Sequence, residues 1–353
     1  MITLIHFDLP QVLQDLGGFT NTLIIKYFVK YAKFVFENFG DRVKTWTTFN
    51  EPHIYCLMGY GQDSLAPAYS LSGIGEYICS HNVLKAHAAI YHLYNDTFRE
   101  KQHGKIIINL DSAWFEPASN SKDDIEASDR ALQFELGFHA HPIFSKTGDY
   151  PSIVKKRIAE RSAQEGLEES RLPLFTQKEI EYIRGTHDNI FCIAHYTTKL
   201  ATTKAEDPIG SPSFEKDMNV HSYFDPSWPP TAFPVFRIVP WGIKKLVMWI
   251  KQQYDNPIIY ISENGLADNG ELKDQERIKF HKSYLTALLE AVNKHGVRVK
   301  RYSAWSFMDS FEWSTGYTLK YGFYHVDFND SNRTRKAKAS AYYYKGVIST
   351  RKP

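Results

Sequence analysis

Two glutamates stand out by their setting. Glu51 sits in Thr48-Phe49-Asn50-Glu51-Pro52 and Glu263 in Ile261-Ser262-Glu263-Asn264-Gly265. Each closes a β-rich apolar run and is followed by a strand breaker. Pro52 is expected to hold Glu51 extended, and Gly265 permits a sharp turn. One such glutamate would read as an ordinary salt-bridged residue; two in matching contexts read as a working pair. Glycosidic cleavage needs two carboxyls. One, kept protonated by burial and a like-charged neighbour, hands its proton to the leaving oxygen. The other either attacks the anomeric carbon, the two standing about 5–5.5 Å apart, or activates water from a greater distance. A third constellation, Trp305-Ser306-Phe307-Met308-Asp309-Ser310-Phe311-Glu312-Trp313, offers stacking platforms and a carboxylate able to accept from two adjacent sugar hydroxyls.

These residues need a scaffold that brings strand ends to one face. Apolar, β-rich runs occur at Ile2–Phe7, Val43–Asn50, Lys105–Trp114, Asn189–Thr197, Pro257–Glu263 and Val297–Phe307. Helical patterns alternate with them at Tyr27–Phe39, Glu76–Phe98, Asp123–Phe138, Thr176–Arg184, Trp241–Tyr254 and Asp274–His295. Thr176 and Glu179 form a capping-box signature, and Gly40, Gly185 and Gly296 are placed to end helices. The last helix is expected to bury Ile278, Leu285, Leu288, Leu289 and Val292. Strand–helix alternation with nearly continuous apolar strands predicts an α/β fold, a parallel sheet covered by helices. In such a fold, strand C-terminal ends carry the chemistry. Six strand runs are two short of a closed (β/α)8 barrel, so two units are absent or the sheet is open. The Gly/Pro/Ser-rich stretch Ala205–Pro234 reads as a long loop on the active-site face.

Composition narrows the function class. The 42 basic and 40 acidic residues nearly cancel, which argues against a nucleic-acid or membrane-surface partner. No cofactor is expected: there is no Gly-rich phosphate loop, and the pairs His139/His141 and His81/His87 lack the partners of a metal site. Cys56, Cys79 and Cys192 allow one disulfide and leave one thiol over. The first ten residues lack signal-peptide character; Asn95, Asn329 and Asn332 head Asn-x-Ser/Thr tripeptides, which arise often by chance and give only a hint of a secreted parent, so the compartment stays open. The basic tail Arg333–Lys345 and the Glu165–Glu169 cluster are expected to be solvated.

Taken together and in order, His6-Phe7-Asp8-Leu9-Pro10-Gln11, Thr48–Pro52, Ser262–Gly265, Trp305–Trp313 and the closing Arg333–Ser340 resemble glycoside hydrolase family 1 over essentially the whole chain. That family includes β-glucosidases, β-galactosidases and thioglucosidases. The resemblance implies a retaining β-glycosidase in one catalytic domain over residues 1–353, acting on a small β-glycoside. It implies Glu51 as acid/base and Glu263 as nucleophile. By the same resemblance Asn50 binds the sugar 2-hydroxyl, His6 binds glycone hydroxyls, and Tyr196 orients the nucleophile. Trp305 floors the sugar site, and Glu312 and Trp313 grip its far side.

The sequence also departs from the family pattern. Ala194 stands where the family has Asn, and Cys192 where Gly is usual. Residue 1 falls within the family's third strand, so the resemblance implies a TIM (β/α)8 barrel lacking its first two strand–helix units, with a glycone-binding Gln and a nucleophile-supporting Arg among them. Such a chain is expected to fold poorly and to turn over little by itself. Glu312 favours a neutral sugar, since members acting on phosphorylated sugars replace it. Plant-type thioglucosidases typically lack the acid glutamate, so Glu51 favours O-glycosides. The readings weighed against this are a thioglucosidase that keeps its acid, a sugar-binding pseudoenzyme, and an inactive fragment.

Overall fold

The computed structural model describes residues 1–353, which pack as two compact units. The first comprises residues 1–112, 117–192 and 201–221, and the second residues 113–116, 193–200 and 222–353.

In the first unit, β1 (Ile2–Ile5) leads through helix α1 (Leu23–Phe39) to β2 (Thr45–Asn50). A short helix α2 (Pro52–Cys56) and a long one, α3 (Gly75–Thr97), then precede β3 (Lys105–Asp111). β2 runs parallel to both β1 and β3. Parallel strands need crossovers that lay helices on the sheet, so β2 is covered on both faces and Trp46 through Asn50 are all buried. α1 turns Ile24, Phe28, Ala32, Val35 and Phe36 inward at helical spacing, while Leu23, Tyr27, Tyr31 and Phe34 on its other side remain exposed. A disulfide joins Cys56 at the end of α2 to Cys79 in α3, and Cys192 lies buried outside it.

Beyond β3 come α4 (Lys122–Leu132), α5 (Phe138–Phe144), α6 (Ser152–Gln164) and α7 (Gln177–Ile183). The single helix expected over Asp123–Phe138 is instead α4 and α5 joined by a π-type turn at Gln133–Gly137. α7 opens with the expected capping box: Glu179 N–H donates to Thr176 Oγ1 (3.3 Å), and Thr176 N–H donates to Glu179 Oε2 (2.9 Å). β4 (Ile190–Ala194) is wholly buried and begins in the first unit but ends in the second.

The second unit contains α8 (Pro240–Gln253), β5 (Ile258–Glu263), α9 (Gln275–His295), β6 (Val299–Tyr302), the hairpin β7 (Tyr324–Val326) and β8 (Arg335–Ala337), and α10 (Ala339–Thr350). β5 and β6 are parallel, and β7 and β8 antiparallel. α8 starts with Pro240 in its first turn, where the missing N–H costs nothing. α9 stops at Gly296, φ 62°, in the left-handed region that glycine favours. The face of α9 is a correction to the sequence reading. It buries Phe280, His281, Tyr284, Ala287, Leu288 and Ala291, and Leu289 is exposed. Two aromatics and a histidine with a buried hydrogen bond set the face, which a count of aliphatics misplaces.

Two segments expected to be solvated, and the stretch expected to be a long loop, hold or meet buried charge. Lys338, in the basic tail, is fully buried with its Nζ 3.2 Å from Asp309 and 3.5 Å from Asp268. Arg277 joins this cluster through Asp268 and Asp274, and Asp274 also accepts from Ser340 N–H (2.9 Å). In the first unit Asp217, on a helical turn within the expected Ala205–Pro234 loop, takes two bonds from Arg171 (2.6 and 2.8 Å) and one from Tyr77. Glu165 pairs with the same Arg171 at 2.8 Å. The sequence shows the signs of these charges but not their distant partners. No helix is long and apolar enough to cross a membrane.

Candidate active site

In the first unit, the setting of Glu51 is made by an irregularity in β2. Thr47 opposes Ile107 and Asn50 opposes Asn109, so β2 carries one more residue than β3 over this stretch. Such a bulge re-aims side chains at a strand end. It sets Asn50 beside Asn109, whose Nδ2 donates to Asn50 Oδ1 at 2.6 Å. With its oxygen occupied, Asn50 points Nδ2 at His6 Nε2, 3.0 Å away. The His6 ring therefore accepts at Nε2. Burial lowers its pKa against the opposing charge of Asp8, which keeps it neutral.

Glu51 itself is not extended, as the sequence reading expected, but left-handed, at φ 41°, ψ 61°. The reason is local. Helix α2 starts at Pro52, so the chain must turn from strand to helix within one residue. A following proline disfavours the right-handed conformation there. Glu51 N–H donates to Asn109 O at 2.9 Å, which pins the turn to β3. Beneath α2, Glu76 lines a small internal cavity with His53, Ser80 and His139. Burial pushes the Glu76 carboxyl up to about 7, although it accepts from the N–H groups of Gly73 and Ile74.

In the second unit, Glu263 is held by a brace between chain segments. Glu263, the last residue of β5, accepts from the Tyr196 hydroxyl at Oε2 (2.9 Å). Its carbonyl accepts from His195 N–H (3.0 Å). Asn264 returns the tie, donating from Nδ2 to the His195 carbonyl at 2.6 Å. Asn264 Oδ1 accepts from Tyr302 Oη (2.7 Å), and that hydroxyl lies 2.9 Å from His281 Nδ1. Since Tyr302 spends its proton on Asn264, His281 carries its hydrogen on Nδ1. Burial, aided by the charge of Arg277, lowers the His281 pKa to about 3. The Tyr196 ring is stacked on Phe236.

After β6, Trp305 N–H donates to Asn264 O at 3.0 Å, so the tryptophan-rich segment is tied to the residue after Glu263. Glu312 is buried, and desolvation raises its pKa. It accepts from Ser310 Oγ (2.9 Å) and from the Trp305 side chain, while Asp309 adds a like charge. Trp313 heads a short 3-10 turn with its indole partly exposed. Ala194 and Cys192 are buried on β4.

The structure thus brings Tyr196 to Glu263, Trp305 to Glu312, and His6 to Asn50. Asn109, Tyr302 and His281 were missed by the sequence reading. Asn109 left a signal, a lone amide in the apolar run Ile106–Leu110, where a buried polar group must find a partner. The other two left none, because Tyr302 reaches Asn264 across 38 residues and His281 reaches Tyr302 across 21.

A family model described as glycosyl hydrolase family 1 matches residues 1–353. The chain is 46% identical over 351 residues to lactase/phlorizin hydrolase of Homo sapiens, covering 99% of this chain but 18% of that protein. It is 42% identical to the cytosolic beta-glucosidase of Homo sapiens, covering 99% of this chain and 74% of that one. Among solved structures, an aphid myrosinase superposes with a TM-score of 0.94 at 43% identity, over all of this chain and 75% of the other.

Proposed function

The chain belongs to glycosyl hydrolase family 1, a family of TIM barrels, and on that premise we propose that it hydrolyses neutral β-glycosides with retention of configuration. The observation that carries this reading is the Tyr196–Glu263 bond. A hydroxyl donating to Oε2 holds the carboxylate in one orientation, as a nucleophile aimed at one carbon requires. In this reading Glu51 protonates the departing oxygen and then, as the base, draws a proton from the water that releases the sugar from Glu263. Asn50 contacts the 2-hydroxyl, whose hydrogen bond strengthens as positive charge grows at the anomeric carbon. Its Oδ1 accepts from Asn109 and one Nδ2 hydrogen goes to His6, so the second Nδ2 hydrogen is the one offered to the sugar. His6 and Glu312 bind other glycone hydroxyls, Trp305 lies under the ring, and Trp313 closes over it. Residues 1–353 act as one catalytic domain. The retained Glu51 supports an O-glycoside, whose poor leaving group needs a proton.

A 2-deoxy-2-fluoro glucoside bearing a good leaving group tests the assignment. The expected outcome is a covalent adduct on the peptide containing Glu263. Glu263→Ala is expected to lose on the order of 10^4-fold or more in kcat and to regain turnover with azide, giving a product of inverted configuration. A label on another residue, or an inverted sugar from the unmodified enzyme, would overturn it.

A further inference from the structure

We propose that this protein is made in the secretory route and carries an N-linked glycan on Asn332, in the turn joining β7 to β8. Two independent features support this. The first is redox chemistry: Cys56 and Cys79 are bonded to each other with their Cα atoms 5.5 Å apart. A structural disulfide of this kind forms and persists in oxidising compartments, where N-glycosylation also takes place, and is rare in a reducing cytosol.

The second feature is the local conformation of the acceptor tripeptides. The hydroxyl residue must approach the asparagine two positions before it. Asn95-Asp96-Thr97 lies in the last turn of α3, where residues two apart point to different sides of the helix. The Asn95 amide is also engaged at both ends, by Asp96 (3.1 Å) and by Arg99 (3.0 Å). The turn over residues 327–334 is different. Asn332 is exposed, and its N–H donates to Asp330 Oδ1 at 3.0 Å. The Thr334 hydroxyl donates to the other oxygen of the same carboxylate. Asp330 thereby gathers the acceptor asparagine and its threonine on one side of the turn. In Asn329-Asp330-Ser331 the same aspartate lies inside the tripeptide and is committed to the following residues, which disfavours Asn329.

The test uses protein isolated from the cells that make it. Peptide mapping without reduction, after enzymatic glycan release in heavy-oxygen water, is expected to show the isotope in an aspartate at position 332 and a Cys56–Cys79 linked pair. An unlabelled Asn332, or free thiols at both cysteines, would overturn the proposal. Secreted variants assign the site without depending on a stable fold, because occupancy is read on denatured protein. Asn332→Gln is expected to abolish the glycan-dependent mobility shift, and Asn95→Gln and Asn329→Gln to keep it. A shift that survives Asn332→Gln would refute the assignment.

Discussion

In the first unit the carboxylate leaves a kinked strand: a bulge, a left-handed residue and a proline turn Glu51 off β2, next to the Asn50–Asn109 amide pair. In the second unit Glu263 ends a strand between Tyr196 and Asn264, each tied to further partners. Backbone shape sets where Glu51 leaves its strand, and side-chain bonds fix how Glu263 is held. That difference suits the proposed roles. A proton donor must serve leaving groups of many shapes and return for water. A nucleophile must sit at one distance from one carbon.

The contrast can be broken most sharply at Glu51. Glu51→Ala is expected to slow cleavage of alkyl glycosides by about 10^2–10^4-fold and of activated aryl glycosides far less, since proton delivery matters only for poor leaving groups. Equal losses in both series would remove the acid role. Tyr196→Phe deletes a bond to a charged group of about 1.5–3 kcal/mol. Its kcat is expected to fall by roughly ten- to a hundredfold with little change in KM, read from the steady-state kinetics of one aryl glycoside.

Smaller effects sharpen the comparison. Asn109→Leu frees the Asn50 carbonyl, and Tyr302→Phe frees that of Asn264; each is expected to lower kcat/KM by about tenfold, the worth of one hydrogen bond. If the halves differ as described, the first variant should respond to a 2-deoxy substrate and the second should not. The smallest effect concerns Glu76. Its folded pKa, about 7, lies above the ordinary 4.5. Its contribution to stability is therefore fully present below about 4.5 and is lost as pH rises through about 7. Glu76→Gln is expected to flatten the fall in Tm across that window, and an unchanged slope would show that Glu76 titrates normally.

Much of this was legible in the residues alone. The runs ending at Asn50 and Glu263 contain β2 and β5 because period and punctuation are local properties, and the capping box at Thr176 is local too. The failures share a cause. The inner face of α9, the burial of Lys338 and the parts played by Asn109 and Tyr302 all depend on partners far along the chain. Charge and hydropathy were read correctly there, but what each group would meet was not. Glu51 failed differently. A proline favours an extended predecessor, whereas a helix beginning at once leaves room only for a left-handed turn.

That turn bears on how the protein would age under mutation. A non-glycine residue in the left-handed region costs about 1–2 kcal/mol, so at Glu51 (φ 41°) the backbone would be better served by glycine or asparagine. On the proposed acid role, selection for turnover and selection for stability pull this position in opposite directions. Glu51→Gly should melt higher than Glu51→Ala while being equally impaired toward alkyl glycosides. In a duplicated copy released from the need to hydrolyse anything, position 51 is where drift would gain stability by discarding activity, and its identity in any such copy records whether the chemistry is still in use.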